Sequence, residues 1–211
     1  AVQISAPYAT VEGCPGADDT GSGVAGLLEI AKVLARYRHR RTVECIAFSL
    51  EEADCLGSRH FVKQARWAKR RIVAVLDLEM IGFTGPTQGA PPGLRAPERG
   101  DFIGVVGNRA SRHLVEVYAE AIKGFVPDLP IETLIVEGNG ERLPMVRWSD
   151  HAPFWDAGYS AIMITDIAFL RNPHYHQPTD TIDTLDLSFL RRTASATAVA
   201  AATLSGVIGE G

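Results

Sequence analysis

The adjacent carboxylates Glu51 and Glu52 are the strongest local candidates for chemistry in the sequence. They directly follow the apolar segment VECIAFS, which is predicted to be a buried strand, so they would lie at the end of that strand. One carboxylate of such a pair can bind a metal ion while the other accepts a proton from water. Acidic residues at the start of a helix are also favoured by the helix dipole. The pair by itself therefore leaves both interpretations open.

Three further segments carry side chains that could belong to the same site. Asp18 and Asp19 lie in PGADDTGSG, just before a predicted helix that either of them could cap. Glu79 lies in the apolar segment VAVLDLEMIG, where a buried carboxylate without a partner is costly. His176 lies in HYHQPTD, and a histidine in a loop after a strand is a common zinc ligand. Each of these side chains also has a purely structural explanation when it is considered alone.

The segment SDHAPFWDAG contains a further acid and histidine, Asp150 and His151. A carboxylate and an imidazole next to each other can bind a substrate or orient a ligand of a metal ion. The two aromatic residues that follow, Phe154 and Trp155, either line a pocket for a side chain or pack in the core. Core packing is the ordinary role of such residues.

The order of these segments resembles the twenty-eighth metallopeptidase family, the co-catalytic zinc exopeptidases of aminopeptidase type. The matching segments cover nearly the whole chain and read PGADDTGSGVAGLLEIAKVL, EEADCLGSRHF, LDLEMIG, SDHAPFWDAGYSA and YHQPTDT. The resemblance implies that Asp19 bridges two zinc ions and that Glu52 and His176 complete the first zinc site. It also implies that Glu51 is the general base and that Glu79 is a ligand of the second zinc ion.

The sequence departs from the family pattern on its first strand. The family carries an H-x-D motif there, whose His binds the second zinc ion and whose Asp holds that His in place. Pro7 and Ala9 stand at these positions in the segment SAPYATVEG. Neither side chain can bind zinc, so the second site keeps only Asp19 and Glu79. The first site keeps Asp19, Glu52 and His176, and three protein ligands are the usual complement of a catalytic zinc. The sequence therefore predicts one bound zinc ion and a second site that is weak or empty.

Three functions are compatible with these residues. The first is a zinc aminopeptidase that hydrolyses an N-terminal peptide bond with metal-activated water, with activity impaired by the loss of a second-zinc ligand. The second is a peptidase fold that binds a peptide or another protein without catalysis, which Pro7 and Ala9 favour. The third is a single-zinc transferase resembling the glutaminyl cyclases, which share the Glu-Glu pair and the GSRH segment at residues 57–60. Against the third, Tyr175 precedes His176 where a Trp is expected.

Alternating strands and helices must position these side chains. Apolar patterns predict strands at residues 2–5, 43–49, 72–80, 102–106, 131–136 and 161–165. They predict helices at residues 24–37, 56–70, 111–125, 151–156 and from residue 187 onward. Such alternation predicts a three-layer α/β/α sandwich with a central, mostly parallel mixed sheet. The resemblance implies that residues 1–211 form a single peptidase-like catalytic domain. Loops after strands, near Pro7, Glu51, Glu79 and Asp166, should hold the chemistry.

Members of the resembled family have further strands before the H-x-D strand. Either N-terminal edge strands are therefore missing or the chain is a fragment, and a free strand edge could pair with another chain. An oligomer is compatible with this expectation. Two long loops are also predicted, at residues 81–100 and 168–184, because both segments are rich in turn-forming residues.

Composition limits the partners. The chain has 211 residues, 46% of them hydrophobic, and a formal net charge of −4, which is ordinary for one globular domain. This balance argues against nucleic acid, and the basic run at residues 36–41 is expected to complement the dipole of a helix end. Three cysteines without CxxC spacing argue against a disulfide framework. No stretch is apolar enough to span a bilayer and no signal peptide is visible, so no membrane partner and no particular compartment are predicted. The peptide substrate is implied by the resemblance.

Overall fold

The computed structural model describes residues 1–91 and 93–210 of the chain. The strands are β1 (Val2–Pro7), β2 (Tyr37–His39), β3 (Val43–Phe48), β4 (Ala74–Glu79), β5 (Ile103–Asn108), β6 (Ile131–Val136), β7 (Ala161–Thr165) and β8 (Val207–Glu210). The helices are α1 (Gly23–Leu34), α2 (Leu56–Trp67), α3 (Arg112–Phe125), α4 (His151–Asp156) and α5 (Leu187–Ser205). The predicted strands and helices are therefore all present, with small shifts at their ends.

A six-stranded sheet in the order β3-β1-β4-β7-β5-β6 forms the centre of the fold. Its strands pair in parallel except for β5 and β7, which are antiparallel. Helices α1, α3 and α5 pack on one face around residues such as Leu27 and Phe189. Helices α2 and α4 pack on the other face around Phe48 and Phe154. These three layers confirm the predicted α/β/α sandwich with a mixed, mostly parallel sheet.

A two-stranded antiparallel ribbon of β2 and β8 differs from the sequence prediction. Helix α1 ends at Leu34 instead of residue 37, and α5 ends at Ser205, where Gly206 adopts a left-handed conformation with φ of 70°. Part of the basic run at residues 36–41 therefore lies in a strand. The expectation that this run complements a helix end is wrong for Arg38 and His39, because three-residue strands leave no periodic signal in the sequence.

The two predicted loops are present. Among the described residues of the first loop, Gly85 and Gly100 form an isolated antiparallel bridge. The second loop contains the short helical turns Ala168–Leu170 and Ile182–Thr184. Strands β3 and β6 form the two edges of the sheet, and pairing of an edge with another chain stays a prediction. Within the described residues, no helix has the length and apolar character needed to cross a membrane.

Candidate metal centre

The carboxylates selected from the sequence gather at one end of the central sheet. Glu51 and Glu52 follow β3, Glu79 is the last residue of β4, and the turn that carries Asp19 lies between β1 and α1. Because β3, β1 and β4 are adjacent and parallel, their carboxyl ends share one edge of the sheet. His176 comes from the loop after β7, the next strand in the sheet. The fold thus brings together side chains from four segments that are distant in sequence.

Asp19, Glu52 and His176 converge on one point. Their donor atoms all lie within 4.8 Å of one another. His176 Nε2 is 3.0 Å from Glu52 Oε1 and 3.1 Å from Asp19 Oδ2. Asp19 Oδ2 is buried and accepts no hydrogen bond within the described part of the chain, which is costly for a carboxylate unless a cation binds it. Two carboxylate oxygens and one imidazole nitrogen are a donor set that suits zinc.

Burial and like charge shape the electrostatics of this cluster. Burial, followed by the repulsion of Glu52, raises the pKa of Asp19 to about 8. The same two causes, in the same order, raise the pKa of Glu51 to about 9. Burial and the charge of Glu51 raise the pKa of Glu79 well above its ordinary value. Crowded, desolvated carboxyl groups of this kind are stabilised in their charged form by a bound cation.

Asp18 and Asp19 have different roles, which the sequence left open. Asp18 turns away from the cluster: its Oδ1 accepts a hydrogen bond from Gly82 N at 3.0 Å and its Oδ2 from Asn172 Nδ2 at 2.8 Å. Asp166, at the end of a strand where chemistry was predicted, is also buried and accepts a hydrogen bond from Phe83 N at 2.8 Å. Asp18 and Asp166 therefore tie loops together, and only Asp19 reaches the cluster.

Asp180 holds the turn that carries Asp19. Its Oδ1 accepts a hydrogen bond from Asp18 N at 2.9 Å and its Oδ2 from Asp19 N at 3.0 Å. Its own backbone carbonyl accepts from Ala17 N at 3.1 Å. No pattern in the sequence singled out Asp180 as functional, although it lies four residues after His176 in the YHQPTDT segment. Aspartates in turns are common, so its contact with a distant turn becomes visible only in the fold.

We expect Asp180→Ala to weaken zinc binding by about 10- to 100-fold, as the loss of a supporting contact to a ligand does. The substitution leaves two backbone N–H groups without their acceptor, so the free energy of unfolding should fall by about 1–3 kcal/mol. Asp183→Ala is the matched control, because Asp183 is an exposed aspartate three residues further along the chain. Competition with a chromogenic chelator measures the affinity, and equal affinities in the two variants would contradict the role of Asp180.

Glu79 lies beside the cluster, in its own hydrogen-bonded group. Ser149 Oγ lies 2.5 Å from Glu79 Oε2 and 3.1 Å from Asp77 Oδ2, and Ser5 Oγ donates to Asp77 Oδ1 at 2.6 Å. Ser5 pairs with Asp77 across β1 and β4. Two residues further along each strand, on the same face, are Pro7 and Glu79. Pro7 thus lies next to Glu79 on this face, and its side chain offers no donor atom for a metal ion.

Asp150 and His151 are fully buried behind the site. Asp150 Oδ1 accepts a hydrogen bond from Ser58 Oγ at 2.5 Å, and burial together with the charge of Asp77 raises the Asp150 pKa to about 8. His151 Nε2 lies 2.8 Å from Val146 O, and its Nδ1 lies 3.8 Å from Asp77 Oδ2. Without exposed surface, these two side chains can orient neighbouring groups but cannot touch a bound substrate in this conformation.

An apolar cavity of about 200 Å³ adjoins the metal cluster. Asp19, Glu51, Glu52 and Glu79 line its acidic end, and the long loop after β4 contributes to its walls. Its apolar walls include Phe102, Met145, Val146, Trp148, Met163, Ile167 and Phe169. Phe154 and Trp155, which were candidates for such a pocket, pack in the core instead. The arrangement can hold an apolar side chain next to a metal ion and several carboxylates.

Comparison with known sequences gives consistent matches. The model of peptidase family M28 matches residues 1–201. An uncharacterised Escherichia coli protein, YfbL, is 37% identical over 183 residues, which are 82% of this chain and 54% of that protein. Leucine aminopeptidase 1 of Ajellomyces dermatitidis is 30% identical over 190 residues, which are 87% of this chain and 45% of that protein. The chain therefore spans about half the length of the curated relatives that it matches.

Solved structures share the fold. A zinc aminopeptidase from Bacillus subtilis is 25% identical with a TM-score of 0.74, and the match covers 98% of this chain and 46% of that one. A glutaminyl cyclase of Porphyromonas gingivalis is 19% identical with a TM-score of 0.66, and this match covers 96% and 71%. At that identity the second likeness concerns the fold alone. Both matches agree with the three-layer architecture.

Proposed function

The chain belongs to peptidase family M28, and from this we propose that it acts as a zinc aminopeptidase that hydrolyses an N-terminal peptide bond. One observation carries the proposal: three side chains suited to zinc converge, and a fourth side chain, the carboxylate of Glu51, lines the same cavity outside that group. A metal site with a free carboxylate beside it is the arrangement that metal-assisted hydrolysis requires. The aminopeptidases among the similar proteins support the same reaction.

The chain's own residues divide the work of hydrolysis. Asp19, Glu52 and His176 would hold zinc, and a bound zinc ion supplies Lewis-acid chemistry that polarises the scissile carbonyl group and acidifies water. Glu51 takes the proton from the attacking water and passes it to the leaving amine. The apolar walls of the cavity keep bulk water away from these groups, which strengthens their electrostatic interactions.

Glu79 and the cavity would orient the substrate. A free peptide N-terminus is an ammonium group, and the carboxylate of Glu79 lines the cavity close to the metal cluster. Ser149, through its hydrogen bond, fixes Glu79 in position. The apolar walls of the cavity then accept the side chain of the N-terminal residue. A peptide with a blocked N-terminus loses the ammonium contact and should be a poor substrate.

Release of amino acids from a panel of aminoacyl reporters, measured on zinc-loaded protein, tests the proposed reaction. We expect hydrolysis of reporters with apolar N-terminal residues, and at least tenfold slower hydrolysis of their N-acetylated forms, because the ammonium group is then absent. The acetylated reporter is the matched control for binding of the side chain. No release from any reporter would contradict the proposal.

We also propose that this chain binds one zinc ion, because Pro7 and Ala9 remove the second site. The double substitution Pro7→His with Ala9→Asp is then expected to raise the zinc content from about one towards two ions per chain, since it restores a ligand and the carboxylate that orients it. Metal analysis after equilibrium dialysis measures the change. Ala9→Asp alone is the control and should leave the content at one, because it adds no direct ligand. Unchanged content in the double variant would mean that β1 is wrongly aligned with the family.

Pro7 and Ala9 favour a second candidate function, a peptidase fold that binds peptides without cleaving them. Binding of a peptide to the zinc-loaded protein, with no release of its first residue, would support this alternative. A single-zinc glutaminyl cyclase is the third candidate. Tyr175, whose ring stacks on His176 with centroids 3.8 Å apart, stands where that family is expected to carry Trp. Cyclisation of a peptide with N-terminal Gln distinguishes this transferase from the peptidase directly.

A further inference from the structure

Two basic runs that are far apart in the sequence meet at the end of the central sheet opposite the metal centre. One run, residues 36–41, precedes β3, and the other, residues 69–71, precedes β4. Strands β3 and β4 flank β1 in the sheet. Backbone hydrogen bonds hold both runs against the start of β1, from Val2 N to Thr42 O at 2.8 Å and from Val73 N to Ala1 O at 2.9 Å. Two strands on either side of a third are about 10 Å apart, so both runs can contact one surface.

Six exposed cations, which we call the basic face, come from these two runs and the adjacent elements. None of them forms an ion pair with a carboxylate within residues 1–91 and 93–210. The basic face consists of Arg38, Arg40, Arg41, Arg66, Lys69 and Arg71. The whole chain carries a net charge of −4, so positive charge is concentrated at this end while the acidic cluster occupies the other.

Exposed apolar side chains accompany the basic face. Trp67, the last residue of α2, is 84% exposed and lies next to Arg66 in the chain. Val207 and Ile208 of β8 are 40% and 51% exposed, and β8 pairs with β2, which carries Arg38. Tryptophan favours the interface of a membrane, where its ring is partly buried and its N–H stays hydrated. Aliphatic side chains gain from contact with hydrocarbon, which a nucleic acid does not offer.

We propose that the basic face docks this protein on the surface of an anionic membrane, with Trp67 at the interface. Clustered Lys and Arg side chains attract acidic lipids, and each cation near the surface strengthens binding by about fivefold. This contact is peripheral and needs no segment that spans the bilayer, so the proposal departs from the sequence-based expectation of no membrane partner. Strands of six residues separate the two ends of the sheet by about 20 Å, so the metal centre faces solution.

Flotation of the protein with vesicles tests this docking surface. We expect binding to phosphatidylcholine vesicles that contain phosphatidylserine, no binding to phosphatidylcholine alone, and weaker binding as salt shortens the Debye length. Combining Arg66→Gln, Lys69→Gln and Arg71→Gln should weaken binding by about 100-fold, from roughly fivefold per cation. Tryptophan emission should shift to shorter wavelength on the vesicles, and Trp67→Phe should remove that shift.

A matched triple variant, Arg112→Gln with Arg142→Gln and Arg191→Gln, removes three exposed cations elsewhere on the surface. We expect it to bind the vesicles as the unsubstituted protein does. Equal weakening in both triple variants, or equal binding to vesicles without phosphatidylserine, would overturn the proposal. So would tighter binding to a single-stranded oligonucleotide than to the vesicles at the same salt, since that would identify a nucleic acid as the ligand. These measurements need neither zinc nor substrate, so they are independent of the proposed reaction.

Discussion

Replacing Glu51 by Gln is expected to lower the rate of hydrolysis by about 100- to 10,000-fold, the usual contribution of a general base. The amide retains the size of the side chain but cannot take a proton from water. Zinc affinity should stay close to that of the unsubstituted protein, because Glu51 is outside the group formed by Asp19, Glu52 and His176. Rates on an aminoacyl reporter and zinc affinity by chelator competition, measured on the same preparation, give the two quantities.

Glu132→Gln is the matched control for Glu51→Gln. Glu132 is an exposed carboxylate that lines the same cavity, so its substitution changes the charge of the cavity equally. We expect the control to retain hydrolysis within about tenfold, because Glu132 lies outside the metal cluster. Loss of zinc together with activity in Glu51→Gln would identify Glu51 as a ligand. Full activity in that variant would exclude Glu51 as the base.

A neutral amide at position 51 should also leave the metal-free protein at least as stable as before. Burial, and then the charge of Glu52, are the largest causes that raise the pKa of Glu51. With a pKa of about 9 in the folded state, Glu51 must take up a proton when the metal-free chain folds at neutral pH, and an amide, which is neutral in both states, avoids that cost. A normal unfolding transition of Glu51→Gln in urea would therefore show that lost activity does not come from misfolding.

Local apolar patterns explain why most of the fold is predictable from the sequence. Strands β6 and β7 begin and end at the predicted residues 131–136 and 161–165, since both are rich in β-branched and apolar residues and are bounded by turns. The ribbon of β2 and β8 is not predictable, because its short strands pair across opposite ends of the chain. Its existence depends on where α1 and α5 end, which local propensity determines poorly.

The candidate site is predictable to the extent that it follows the ends of strands. Glu52 and Glu79 lie where parallel strands end, and this rule needs no knowledge of side-chain packing. The walls of the cavity depend on such packing: Met145, Met163 and Phe169 come from three different segments and meet only in the fold. The role of Asp180 is hidden for the same reason, since its partners lie at the other end of the chain.

Replacing His176 is expected to weaken zinc binding by more than about 100-fold, because a direct ligand contributes more than the supporting groups whose loss costs 10- to 100-fold. Two carboxylates remain, and they do not form a three-ligand zinc site. His176 has a φ of 58°, so alanine there adds about 1–2 kcal/mol of backbone strain, which asparagine tolerates better. We therefore expect His176→Ala and His176→Asn to lose zinc and activity equally, while His176→Ala is the less stable of the two.

His174→Ala provides the matched control for the loss of His176. His174 lies two residues earlier in the same loop, with its Nδ1 2.9 Å from Thr179 Oγ1 and its ring edge-on to Phe83. It is outside the converging group, so its removal should leave zinc affinity unchanged. If the His176 variants bound zinc as tightly as the His174 variant, another side chain would have to complete the site. Among the three proposed ligands, only His176 comes from the loop after β7, whereas Asp19 and Glu52 follow β1 and β3. If zinc bound without His176, the metal would not link that loop to the ends of β1 and β3.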